Sequence, residues 1–266
     1  MVLRCRWATN SGDLILRANR VRSELNLKAG FLFQRSLGSF GNIFFQPVAV
    51  FSHRNGIGAE VIAEGLEGFL GFRLTFSQEF NSFTGNTIAA ILVDRAEATI
   101  TGDDISDNGV GVLVRNGGSA IIQNNAISNN QGDGVAVHDN STAVISGNTI
   151  SFNGGAGVWV SFPQSSVIEG NSIFSNTGLG IDLGARGRTP NDPGDADSGL
   201  ANVQDFPELL SAIVNADGDL VVEYTIDSDP ENSAYPLTVQ FFQAESRTTP
   251  QAAQANRQRQ LRIDGL

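Results

Sequence analysis

Gly134-Val135-Ala136-Val137, Gly157-Val158-Trp159-Val160 and Gly180-Ile181-Asp182-Leu183 recur at a step of 23 residues, and Gly111-Val112-Leu113-Val114 precedes them at the same step. Between these runs Asn125, Asn148 and Asn171 recur in phase, as do Asn130, Asn153 and Asn176. A fixed period of this length marks a solenoid, in which each repeat is one unit that cannot bury its apolar face alone. Inside the repeat the apolar period is two. Val112 and Val114 share one side with Val135 and Val137, Val158 and Val160, then Ile181 and Leu183. Ile100, Ile122, Ile145 and Ile168 make a second inward column, and Ala98, Ala120, Ala143 and Ser166 the next. Ile105, Ile127, Ile150 and Ile173 make a further one. Alternation with short strands and Gly/Asn turns excludes helical repeats. Leucine-rich repeats need several leucines per repeat at fixed positions, and those are absent.

At roughly 3.3 Å per strand residue, one repeat is long enough for a coil of about three short strands with turns. Successive coils then pair as parallel strands about 4.8 Å apart, so like side chains stack. Stacked asparagines hydrogen-bond along the axis, and asparagine tolerates the left-handed backbone of tight corners. Asp103 takes the asparagine position in the earliest clear coil.

Composition bounds what such a scaffold does. The 266 residues carry a net charge of −11 with a pI of about 4.5, which argues against nucleic-acid binding, since phosphate contacts need a basic surface. Cys5 is the sole cysteine, so no intrachain disulfide and no thiolate metal site is expected. No apolar run approaches the length of a membrane span. Met1-Val2-Leu3-Arg4-Cys5-Arg6-Trp7 lacks the apolar core of a signal peptide. The chain is then either cytoplasmic or an internal piece of a longer secreted protein whose other domains are its partners.

Gly147-Asn148-Thr149-Ile150-Ser151-Phe152-Asn153 and Gly170-Asn171-Ser172-Ile173-Phe174-Ser175-Asn176 resemble right-handed parallel β-helix repeats of the pectate-lyase-like superfamily. The stretch from Leu179-Gly180-Ile181-Asp182-Leu183 through Thr189-Pro190-Asn191-Asp192-Pro193-Gly194-Asp195-Ala196-Asp197-Ser198-Gly199 to Gln204-Asp205-Phe206-Pro207 is more specific. It resembles the β-helix end of large bacterial secreted or cell-surface proteins of unassigned function, where a small β-domain follows. The resemblance covers roughly residues 83–243. It implies an all-β, right-handed single-stranded parallel β-helix with a partial C-terminal β-domain, in an extracellular or cell-surface setting.

The expected organisation is a cap or irregular segment over 1–54, the β-helix over 55–186, an acidic Pro/Gly/Asp loop over 187–207, a partial β-sheet over 208–245 and a polar tail over 246–266. Asp219 to Ile226 reads as a strand after the Asp217-Gly218 turn, with Pro236 to Phe242 as its partner.

Chemistry is expected where the repeat varies. Leu92, Leu113, Ala136, Trp159 and Asp182 fall on the outward side of the first strand, one per coil. An indole stacks on a sugar ring and a neighbouring carboxylate accepts hydroxyl hydrogen bonds, so Trp159, Asp182 and Leu113 are the candidate polysaccharide contacts. Packing under another segment is the competing reading of this column. His138, Arg115 and Asp94 fall just past that strand in adjacent coils. Together they have the chemistry to take a proton beside a uronate carboxylate, as in lyases and epimerases of the superfamily. The sequence departs from those enzymes, because no clustered aspartates accompany the histidine. A non-catalytic structural or adhesive role is therefore expected ahead of lyase or epimerase activity on uronic-acid polymers. Asp192, Asp195 and Asp197 place oxygen ligands at short spacing beside Gly194, a pattern that suits Ca²⁺. Asp182 or Asp205 would complete the shell if the loop folds back. Pro193 and the broken Asp-x-Asp-x-Asp-Gly order separate this loop from an EF-hand.

Overall fold

The structure is a computed structural model. It describes residues 3–7, 14–18, 21–24, 29–35, 43–47, 50–53, 57–63, 73–76, 81–161, 166–188, 190–196, 205–229, 231, 239, 241–243 and 258–261. Within 3–76 and 241–261 it is the backbone that is described, with Ala59 in full.

Alternating apolar residues and tight turns wind the chain into three parallel sheets, each coil adding one strand to each. The first sheet runs Leu3–Trp7, Ala29–Arg35, Ile57–Ala63, Ala89–Asp94, Val110–Arg115, Val135–Val137, Val158–Val160, Ile181–Leu183. The second runs from Leu14–Ala18 to Val167–Glu169. The third runs from Val21–Glu24 to Ser172–Phe174. This is the parallel β-helix that the repeat dictates. Its register is the one the columns require: Val112 pairs with Val135, Val135 with Val158 and Val158 with Ile181. Val112, Val135, Val158, Val114, Val137, Val160, Ile122, Ile145, Ile127 and Ile150 are fully buried in one continuous core. Phe83 continues the isoleucine column of the third sheet, one coil before Ile105.

Residues 1–54, expected to be a cap or an irregular segment, carry strands of the same three sheets. Leu3 pairs with Phe31 and Phe31 with Ala59, a step of 28 residues. Ala59 then pairs with Ile91, a step of 32, and Ile91 with Val112, a step of 21. The strands stay in register although the sequence steps between them are unequal, and unequal steps destroy the sequence period, so these coils left no periodic signal.

The corners are built differently from the expectation. Left-handed backbone falls on the residue before each stacked asparagine, not on the asparagine. Gly102, Asn124, Gly147 and Gly170 hold that position at one corner, and Asp107, Asn129, Phe152 and Ser175 at the next. The asparagines are thereby freed to bond along the axis. Asn125 Nδ2 donates to Asn148 Oδ1, Asn148 Nδ2 to Asn171 Oδ1, Asn130 Nδ2 to Asn153 Oδ1 and Asn153 Nδ2 to Asn176 Oδ1, at 2.8–2.9 Å.

Past the coils, Glu208–Val214 and Leu220–Thr225 form an antiparallel hairpin. The partner of the second strand is thus the segment before the Asp217-Gly218 turn; of the expected partner, Pro236 to Phe242, residues 236–238 and 240 lie outside the described residues. The short turn makes the local pairing the one with little closure entropy. Asn215 Oδ1 accepts from the Asp217 and Asp219 amides and fixes that turn. Leu209 and Tyr224, Ala212 and Val222, Val214 and Leu220 pair on one apolar face, and Leu209, Val214 and Leu220 stay exposed. The tail from 246 contributes Gln258–Leu261, which pairs antiparallel with both Ser172–Phe174 and Phe241–Gln243. It extends the third sheet, which ends on Phe241–Gln243.

Candidate functional site

The outward column of the first sheet is real. Leu92 pairs with Leu113, Leu113 with Ala136, Ala136 with Trp159 and Trp159 with Asp182. It is not an open face. Leu92, Ala136 and Asp182 are 1%, 2% and 4% exposed, and Leu113 packs on Leu92. Over the last coils the cover is the segment Gly184 to Arg188, which turns back as soon as the period ends.

Trp159 Nε1 donates to Gly184 O at 3.1 Å, and the Gly187 amide donates to Asp182 Oδ2 at 3.1 Å. Between those two anchors Arg186 reaches back two coils. Its guanidinium lies 3.7 Å from the centre of the Trp159 ring and binds Asp133 with both nitrogens, at 2.8 and 2.7 Å. A bidentate pair stacked on an indole uses the geometry in which arginine differs most from lysine. The Asp133 carboxylate holds the Arg186 guanidinium above its ordinary range. Asp133 also accepts from the Ala156 amide at 2.8 Å. Burial pushes the Asp182 carboxyl up, against the Gly187 amide and the Arg186 charge, and Asp182 Oδ1 is buried with no hydrogen-bond partner. The candidate sugar platform is therefore a packed strap: one indole face carries Arg186, and His138 lies 5.6 Å from the ring.

The proposed acid–base trio divides. Asp94 and Arg115 meet, with Arg115 Nε donating to Asp94 Oδ2 at 2.9 Å. Asp94 is also bound by Asn116 and Arg95, so its charge is already balanced. His138 turns instead to its chain neighbour, with Nδ1 at 2.7 Å from Asp139 Oδ2. His138–Asp139 is one hydrogen-bonded group and Asp94–Arg115 another, and no hydrogen bond among the described residues joins the two. Arg186 and Asp133 escaped sequence reasoning. The signal that could have found Arg186 is its place in a Gly-rich stretch just after the last repeat strand.

The acidic loop does fold back. Asp192, Asp195 and Asp205 bring one carboxylate oxygen each within 4.8 Å of one another. Asp205 is the residue that the fold-back expectation named; Asp182 stays with the strap, and Asp197 lies outside the described residues. Backbone pins the cluster: the Asp205 amide donates to Asp195 Oδ1 at 2.7 Å, the Asp192 amide to Asp205 Oδ1 at 3.3 Å, and the Asn191 side chain bonds both polar groups of the Phe206 backbone. Asp192 Oδ1 is buried without a hydrogen-bond partner. Oxygen-only donors of this kind fit a hard cation such as Ca²⁺.

Among the described residues no helix is long and apolar enough to cross a membrane. The family model for the right handed beta helix region matches residues 50–191, more than half of the chain. No curated protein and no solved structure matches it.

Proposed function

Given that this chain belongs to the right-handed β-helix family, we propose that it is a non-catalytic structural or adhesive segment of a secreted or cell-surface protein, a stiff rod that spaces or presents other domains. The observation that carries this reading is the closed outward column. Over the last coils, the face on which a β-helix enzyme needs a substrate groove is packed under the Arg186 strap, and the acid–base candidates bond in two separate groups, Asp94 with Arg115 and His138 with Asp139.

Incubation of the purified chain with pectate and alginate is expected to yield neither unsaturated uronate nor epimerised residues. Sustained product formation would establish the lyase or epimerase reading in its place. A saccharide stacking on Trp159 has to displace Arg186 from the ring. Titration with acidic and neutral glycans is therefore expected to leave tryptophan fluorescence unchanged. A saturable quench that vanishes in Trp159→Ala would make the segment a carbohydrate-binding module.

The acidic loop supports a second element of this reading. Three carboxylates held within 4.8 Å favour Ca²⁺ at the junction between the last coil and the hairpin. Calorimetric titration is expected to show binding, and millimolar calcium to raise the melting temperature. Both effects should disappear in Asp192→Asn/Asp195→Asn. No heat and an unchanged melting temperature would remove calcium from the account.

A further inference from the structure

One carboxylate stands inside the asparagine columns. Asp103 continues the column of Asn81, Asn125, Asn148 and Asn171, since the strands on either side of it pair in register with those flanking Asn125. It is 2% exposed. The asparagines of this column bond in both directions. Asn125 Nδ2 donates forward to Asn148 Oδ1 at 2.9 Å and back to Ile100 O at 3.1 Å. Asn148 Nδ2 donates forward to Asn171 Oδ1 at 2.9 Å and back to Ile122 O at 2.8 Å.

Asp103 makes half of this set. Its Oδ1 accepts from Asn81 Nδ2 at 2.6 Å, and its backbone amide donates to Asn125 Oδ1 at 3.0 Å. Its Oδ2 takes the place that the amide nitrogen holds in the other coils, and it is buried with no hydrogen-bond partner. Asn125 Oδ1 correspondingly receives one donor from Asp103, where Asn148 Oδ1 and Asn171 Oδ1 each receive a backbone and a side-chain donor from the coil before. An ionised Oδ2 would set an anion against carbonyl oxygens in a dry corner. A protonated carboxyl has the one donor that the column lacks.

We propose that Asp103 is a proton-binding site: its carboxyl is held as the neutral acid, Oδ2–H donates to Asn125 Oδ1, and loss of the proton loosens the stack between the coil of Asn81 and the coil of Asn125. Among the described residues no neighbouring charge does this work instead. Asp104 follows with an exposed side chain. Glu97 opens the strand Glu97–Thr101 that leads to Asp103, and Asp107 lies beyond the strand Asp104–Ser106. The next coil presents Gln123, Asn124 and Asn125 at this corner, and the previous coil Asn81 and Ser82. No cation stands among these described residues, so what balances the carboxylate is a proton.

Burial pushes the Asp103 carboxyl up to about 7, against the Asn81 hydrogen bonds that pull it down. The folded state then binds the proton more tightly than the unfolded chain. The stabilisation is complete below the ordinary value of 3.8 and is lost as pH rises through about 7. The rod thus has a joint at its Asn81–Asn125 coils that weakens toward alkaline pH.

Carboxyl-carbon NMR of the full chain, labelled at aspartate, tests this directly. One resonance is expected to titrate at about 7 and to be missing from Asp103→Asn. Asp103→Asn restores the residue that the column uses, so this variant is expected to fold. Between pH 4 and pH 8 the unfolding constant of the parent should rise on the order of a hundredfold more than that of the variant. The raised Asp182 carboxyl contributes the same slope to both proteins and cancels in the comparison. Parallel pH profiles, or a near-neutral resonance that persists in Asp103→Asn, would overturn the proposal.

Discussion

Asn148→Ala is expected to destabilise the chain by about 3–5 kcal/mol, because it strips partners from several buried polar groups at once. Asn148 Oδ1 accepts from both the amide and the side chain of Asn125. Its Nδ2 donates to Ile122 O, Ser146 O and Asn171 Oδ1. Alanine leaves the Asn125 amide in a dry corner with no acceptor, and breaks the column between the Asn125 and Asn171 coils. A buried donor without a partner costs about 1–3 kcal/mol by itself. Thr177→Ala, at an exposed position of a neighbouring turn, is the control and should fall within about 0.5 kcal/mol of the parent. Urea unfolding of the full chain reads both. A loss below about 1 kcal/mol for Asn148→Ala would show that the columns are decoration on a core that holds without them.

The contrast between coils and strap explains what was legible. Val135, Val158 and Ile145 announce their side of the sheet because period-two alternation leaves one reading of each column. Stacking then fixes the register to the residue. Phe31 and Ala59 occupy equivalent places, yet steps of 28 and 32 residues separate them from their partners, so no comparison of columns could find them. Arg186 was invisible for a different reason. It lies past the last repeat, where there is no second copy to compare, and its partners Trp159 and Asp133 come from two different coils. The acidic loop was legible in chemistry and incomplete in geometry. Carboxylates close in sequence pointed to a cation, but Asp205 joins them through a fold-back that its own spacing does not encode. Trp159 shows the hazard of reading exposure from alternation alone. The period gives the side of the strand on which a residue lies, and a segment from elsewhere decides whether that side meets water.

Gly157→Ala is expected to destabilise by about 3 kcal/mol or more, although replacing a glycine by alanine ordinarily stabilises by about 0.4–1 kcal/mol where the backbone allows it. The sign reverses because the coils approach one another too closely for a Cβ. One added at Gly157 would lie 2.5 Å from Ile173 Cγ2, 2.6 Å from Gly180 O and 2.9 Å from Asn176 Nδ2. None of these can give way alone. Gly180 O accepts from the Val158 amide and holds the first sheet together. Asn176 belongs to the second asparagine column, bonded to Asn153, and Ile173 is fully buried. Relief therefore means sliding one coil against the next, which unpairs sheet and column together. Gly117→Ala separates this effect from backbone strain. Gly117 has left-handed backbone at φ 77° with open space around it, so alanine there should cost only the conformational term of about 1–2 kcal/mol. Denaturation of the two variants side by side measures the difference. Equal losses would mean that the recurring glycine is retained for its backbone freedom, and that the close approach of the coils is soft. A larger loss at Gly157, with amide exchange rising in the coils of Val158 and Ile181, would identify the glycine as the residue that sets the spacing of the rod.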